Sequence, residues 1–193
     1  MSMESLDWQD VNGNRVGSPD SGLLSAPART DWFADPAGGE PTGSAPLALT
    51  RCVGDFQLSA LVEATLTETY DAVALFVHGG ATSWAKLAME RSPAGTDTIV
   101  TVVTRGVSDD ANGVAVACPG RSWLRISRMG VVYAFHHSDD GARWKLARLF
   151  TLGPIASHRV GFSVQSPMGD GFDARVRHVR ITPTTLLDAR NGC

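Results

Sequence analysis

The chain has 193 residues, 43% of them hydrophobic and 19% charged, with a formal net charge of −3. Folding at this length hides roughly 70% of the unfolded chain's surface, enough for one soluble domain with a real core and no staples. The acidic balance argues against a polyanion binder, because phosphate contacts need clustered Lys and Arg, so no nucleic-acid partner is expected. Three cysteines, Cys52, Cys118 and Cys193, are odd in number and lack C-x-x-C spacing, which reads as free thiols in a reducing compartment. MSMESLDWQDVNG has neither a basic region nor an apolar run, and no stretch approaches a membrane span. A cytoplasmic protein without membrane association is expected.

In chain order, residues 1–50 are rich in Gly, Pro, Ser, Asp and Ala, interrupted by GLLSAPA and PLALT, which predicts edge strands and long loops. DFQLSALVEATL alternates, with Phe56, Leu58, Ala60 and Val62 on one side and Gln57, Ser59 and Glu63 on the other, as a half-buried strand does. YDAVALFVHGG is an apolar run closed by paired glycines and predicts a central strand. SWAKLAMER and the β-branched TDTIVTVVTRG follow, then a loop, SDDANGVAVACPG, and the strand SWLRISRMG. VVYAFHHSDDGARWKLARLF reads as a hairpin turning at Ser138–Gly141; HRVGFSVQSP and FDARVRHVRITP complete the set. About eight to eleven strands with regular turn signals and no long amphipathic helix predict an all-β sandwich or barrel. One domain is expected over 1–182, with 183–193 as a tail that is a short helix or disordered.

An ordered string of motifs carries a resemblance: T-D-W-F at 30–33, G-D-F at 54–56, Y-D-A-V-A-L-F-V at 70–77 and S-W-A-K-L-A-M-E at 83–90. S-D-D at 108–110, W-L-R-I-S-R at 123–128, S-D-D-G-A-R-W at 138–144 and V-G-F-S-V-Q-S-P at 160–167 continue it. Over roughly residues 6–182 the chain resembles the domain-of-unknown-function 1349 group (YesU-like and regulation-of-enolase-like proteins) of the concanavalin A-like lectin/glucanase superfamily. One departure stands out: the group has an aromatic after S-D where this chain has Asp110. The resemblance implies a two-sheet antiparallel jelly-roll sandwich with one sheet concave and open, and little about chemistry.

Period 2 then assigns faces. Ala85, Leu87 and Met89 form a core side, leaving Trp84, Lys86, Ala88 and Glu90 outward. By the same rule Arg125, Gln165 and His78 project outward from their strands, with the small residues Ala74, Ala88 and Gly161 between them. One face therefore collects Trp84, Lys86, Glu90, Arg125, Gln165 and His78, and its indole, two cations, carboxylate and amide line a floor suited to a short saccharide or other small polar ligand. Trp84 would stack on a sugar ring, while Lys86, Arg125, Glu90 and Gln165 would fix hydroxyls. The plainer alternative is a cross-strand ion-pair ladder over a wet sheet. Asp31-Trp32 lies in a loop placed either to cap this groove or, through Trp32, to plug the core.

Other candidates are weaker. His136 and His137 are adjacent on a strand and face opposite ways, a poor chelate. Asp109, Asp110 and Asn112 are oxygen-rich and could hold Ca²⁺, but lack the spacing of a calcium loop, so no metal or other cofactor is assigned. Trp144 reads as packing. No E-x-D-x-x-E run or G-x-S-x-G elbow is present, and Glu90 has no acidic partner on its own strand, with Glu63 and Asp71 the candidate neighbours to supply one. Three readings remain. The first is a non-catalytic lectin-like or carbohydrate-binding module. The second is a small-molecule enzyme, an isomerase, lyase or glycoside hydrolase, with Glu90 as acid/base beside Lys86 or Arg125. The third is a regulatory domain that docks a protein partner. A closed pocket with a raised Glu90 pKa would favour the enzyme, and an open, wet groove the binder.

Overall fold

The computed structural model describes residues 9–11, 22–153 and 158–193. Those residues form fifteen strands: β1 (Gln9–Val11), β2 (Leu23–Pro27), β3 (Trp32–Phe33), β4 (Thr42–Gly43), β5 (Leu47–Cys52), β6 (Phe56–Ala64), β7 (Ala72–Gly80), β8 (Ser83–Arg91), β9 (Asp97–Arg105), β10 (Val107–Ala115), β11 (Arg121–Met129), β12 (Val132–Ser138), β13 (Lys145–Thr151), β14 (His158–Gln165) and β15 (Gly171–Thr182). No helix among them is long and apolar enough to cross a membrane. Two large antiparallel sheets make the sandwich. One has seven strands in the order β1-β5-β14-β7-β8-β9-β10, the other six in the order β13-β12-β11-β6-β15-β2. The jelly-roll expectation is met, and β1 and β2 lie at sheet edges as the early composition predicts.

Alternation decides which residues meet between the sheets. Val73, Leu75 and Val77 of β7, Ala85, Leu87 and Met89 of β8, and Val160, Phe162 and Val164 of β14 pack against Phe56, Leu58, Ala60 and Val62 of β6 and Leu124 and Ile126 of β11. Each of these strands therefore turns its other face away from the core. The segment SDDANGVA is not the predicted loop: it continues the seven-stranded sheet as edge strand β10, paired with β9. Its polar sequence reflects its place, since an edge strand has one ladder partner and tolerates exposed charge.

The outer face of the seven-stranded sheet is not open along its whole length. The arm between β2 and β5 lies across it and creates a second apolar cluster from Trp32, Leu47, Leu49, Ala74, Phe76, Trp84, Ala88, Val100 and Val102. Trp84 stacks on Phe76 with centroids 5.4 Å apart and planes at 21°, and the edge of Trp32 meets it at 5.6 Å. The Trp32 indole N–H donates to the Ala45 carbonyl at 2.7 Å, and Ala34 exchanges bonds with Ser108 on β10, its amide donating to Ser108 Oγ at 2.9 Å. Thus Trp84, 2% exposed, and Trp32 are core residues of this layer and not stacking platforms for a ligand.

The segment after β15 is neither helical nor loose. Leu186 is buried, the Ala189 carbonyl meets His136 Nε2 at 2.7 Å, and the Gly192 carbonyl accepts from Arg125 Nη2 at 2.8 Å. The three cysteines are free. Because Trp84 fills space that only the arm encloses, Trp84→Ala is expected to cost about 3–5 kcal/mol in urea unfolding. A Trp84→Ala variant as stable as the parent would show that the second layer carries no weight.

Candidate functional site

The site grows from the outward row of β8. Lys86 pairs with Phe76 on β7 and Val102 on β9, and Asp110 on β10 sits opposite Val102, so Lys86 and Asp110 share one cross-strand row. Glu90, two pleats along, pairs with Ala72, which in turn pairs with Gln165 of β14. Small and β-branched residues between these positions leave a cavity of about 240 Å³, lined by Asp31, Phe33, Tyr70, Lys86, Glu90, Val102, Asp110 and Gln165. Of the residues read from sequence, Lys86, Glu90 and Gln165 come together here.

Lys86 is 3% exposed, and its ammonium is satisfied on every side. It donates to Gln165 Oε1 at 2.7 Å, to the Trp32 carbonyl at 2.8 Å and to Asp31 Oδ1 at 3.5 Å. An ammonium has three protons, so these partners use all of them. Asp31 Oδ1 also accepts the Trp32 amide at 2.7 Å, which fixes the carboxylate in a tight local turn. Lys86 thereby clamps the arm to the sheet. It is not a spare donor.

Glu90 is in the opposite condition. It is 8% exposed, lines the cavity, and no hydrogen bond reaches its carboxyl from the described residues. Burial pushes its pKa up to about 7; Lys86 pulls it down, while Asp110 and Asp31 push it further up. Asp110, at the exposed rim, is also raised, first by partial burial and then by Asp31, against Lys86, an Ala111 backbone hydrogen bond and Arg148. Burial is the main reason Glu90 resists ionisation, and three carboxyl groups facing one ammonium add to it.

Tyr70, 43% exposed, forms a wall with backbone φ of 69°, a left-handed conformation that strains a bulky residue. Its amide is held by the Arg91 carbonyl at 2.8 Å and its carbonyl accepts from Gln165 Nε2 at 3.4 Å. Phe33 and Tyr70 are thus the aromatic surfaces at the pocket.

Arg125 does not belong to this face. Parity places it outward on β11, but β11 is in the six-stranded sheet, so its guanidinium emerges on the opposite side of the sandwich, 4.3 Å over the Trp144 ring. His78 does lie on the correct face, half-buried beside Trp32 at 5.8 Å, away from the cavity lining; burial and then Arg159 lower its pKa. Neither anticipated acidic partner reaches Glu90. Asp71 is held by Ser166 Oγ at 2.6 Å, and Glu63, on the other sheet, pairs with Arg177 at 2.7 Å. The acids that do arrive are Asp31, from the arm, and Asp110, at the position where the resemblance leads to an aromatic. Asp109 pairs with Arg148 at 2.6 Å, and no group of three His, Cys, Asp or Glu side chains among the described residues is placed to hold a metal ion.

A raised carboxyl pKa is a stability statement. Protonated Glu90 favours the folded state fully below the ordinary value of 4.5, and that contribution is lost as pH rises through about 7. Glu90→Gln is therefore expected to be more stable than the parent above pH 7, by on the order of 2 kcal/mol, and nearly equal to it at pH 4. Thermal melts across this range check it; an advantage independent of pH would contradict the assignment.

Comparison with known proteins places this site in a fold, not in an activity. No curated protein sequence matches the chain. A crystal structure of a functionally unknown protein from Saccharomyces cerevisiae superposes with a TM-score of 0.85 at 22% identity, over 94% of this chain and 98% of that one. A carbohydrate-binding module, CBM66 from Bacillus subtilis, gives 0.51 at 14% identity over 83% of this chain and 95% of the other. A GH43 protein from Bacillus licheniformis gives 0.66 at 12% identity, over 84% of this chain but only 32% of that protein. These likenesses establish the β-sandwich. Residues 15–184 match the family described as "Protein of unknown function (DUF1349)", and the chain belongs to that family.

Proposed function

We propose that the chain is a lectin-like binding module that takes one polar, saccharide-sized ligand in the cavity beneath the arm. The observation that carries this reading is the Glu90 carboxyl: nine-tenths buried, facing a cavity, and without a hydrogen-bond donor among the described residues. Its oxygens are open only to the cavity, and a ligand hydroxyl that donates to one supplies a hydrogen bond that the protein does not.

The surrounding chemistry narrows the ligand. With every Lys86 proton committed and Gln165 Nε2 engaged only at 3.4 Å, the pocket offers acceptors more than donors. Donor-rich polyols fit this balance, and a neutral charge suits a lining of three carboxyl groups and one ammonium. The exposed Tyr70 and half-buried Phe33 supply apolar surface for a ring's C–H face, the part assigned from sequence to Trp84. About 240 Å³ lies just below the usual range of roughly 300–1,000 Å³ for ligand pockets, which favours one sugar residue over a chain. The sandwich fold shared with a carbohydrate-binding module supports the reading as analogy.

A second reading, a proton-transfer enzyme, is favoured by the same carboxyl, since a pKa of about 7 is where a general acid/base works best near neutral pH. Lys86 would not serve it as a free oxyanion donor. One experiment separates the two. Neutral monosaccharides are titrated by NMR into the parent and Glu90→Gln, and the ligand spectrum is followed for a day. The binder reading expects at least tenfold weaker binding in Glu90→Gln and an unchanged ligand. Steady conversion by the parent, lost in the variant, selects the enzyme. Binding indifferent to Glu90→Gln contradicts both.

A further inference from the structure

On the far side of the sandwich the outward residues of the six-stranded sheet form a row of the opposite charge. Arg180 on β15 pairs with Ser59 on β6, Ser59 with Arg125 on β11, and Arg125 with His136 on β12. Above this row is a cavity of about 420 Å³ whose lining includes Gln57, Trp123, Arg125, Trp144, His178 and Arg180 and contains no carboxylate. The acids nearest in sequence are used elsewhere. Glu63 pairs with Arg177, Asp139 with Lys145 at 2.7 Å, and Asp140 accepts the Ala142 and Arg143 amides of its own turn, each at 2.8 Å.

Two features show that this surface is built. Arg125 is 6% exposed, covered by the C-terminal segment whose Gly192 carbonyl it bonds. Its guanidinium is held between the Trp144 ring and the Gly192 carbonyl, and its Nε has no hydrogen-bond partner among the described residues. His178 lies at a register shift between Arg177 and Arg180, with a left-handed φ of 53° in mid-strand. Bulges re-aim side chains, and strain of this kind collects at functional positions. Here it sets the imidazole parallel to Trp123, 5.5 Å away at 23°. The Gly141 backbone closes on that same indole: a Cβ at 141 would stand 2.7 Å from Trp123 Cε2.

We propose that the outer face of the six-stranded sheet is a second binding site, for an acidic sugar. A carboxylate would meet the exposed Arg180 and His178 in the field of the buried Arg125, the ring would lie against the half-buried Trp144, and hydroxyls would reach Gln57 and Thr182. The site is independent of the Glu90 pocket, on which it shares no residue and whose ligand preference is the reverse.

Glucuronic acid, glucose and acetate are titrated separately into ¹⁵N-labelled protein, with Arg180→Gln, His178→Ala and Glu90→Gln as variants. Arg180 and His178 are exposed, so both changes leave the core intact, and thermal melts check this. Amide shifts near Trp123 and Trp144 are expected with glucuronic acid, at least tenfold weaker with glucose or acetate. Binding should weaken at least tenfold in Arg180→Gln, fall in His178→Ala, diminish with added salt and stay unchanged in Glu90→Gln. Equal response to acetate makes this a plain anion patch and overturns the sugar class. No preference for glucuronic acid over glucose, indifference to Arg180→Gln, or loss in Glu90→Gln overturns the site.

Discussion

The structure around the pocket depends on one buried ammonium. Lys86 leaves water at a cost of several kcal/mol and recovers it only because three acceptors converge on it from two directions. Gln165 comes from the sheet beneath it; the Trp32 carbonyl and Asp31 come from the arm above. Without the charge, the arm would keep its apolar contacts and its bonds to Ser108. It would lose the contact that fixes its position over the sheet.

The same ammonium explains why Glu90 is left unsatisfied. Lys86 lowers the energy of nearby carboxylates, but its hydrogen bonds are spent on Asp31 and on neutral groups. Glu90 receives a through-space attraction too small to offset its burial and the two other acids. A residue in that position is poorly explained as a contribution to stability, since a hydrophobic residue of similar size would pack the site at less cost. It is well explained as a group awaiting a donor. Clamp and acceptor thus divide the work: one shapes the cavity, the other gives it something to bind.

Much of this was legible in the sequence, and the limits have physical causes. Period 2 assigned the faces of β7, β8, β11 and β14 correctly, because each strand has one dry side and Leu87, Met89, Leu124 and Phe162 declare it. Parity says which face a residue takes; it does not say which sheet the strand joins. Arg125 was therefore turned outward correctly and assigned to the wrong surface, since strand order comes from long-range pairing. Trp84 misled for another reason. An outward indole on an isolated strand is exposed, and its burial depends on an arm rich in Gly, Pro and Ser that has no periodicity to read. Asp110 was visible as a departure from the expected aromatic, but its polar neighbours resembled a loop, so its alignment with Lys86 across two strand pairings was hidden.

The central claim is that the Lys86 charge, beyond its hydrocarbon stem, holds the arm in place. Hydrogen exchange on Lys86→Met, which keeps the length and apolar body of the side chain, tests it most directly. The account expects the amides of Trp32, Ser44 and Ala45 to exchange at least tenfold faster while β7, β8 and β9 stay as protected as in the parent. Unchanged protection of the arm would contradict it, and would leave the second apolar layer and the Ser108 bonds to hold the roof of the pocket.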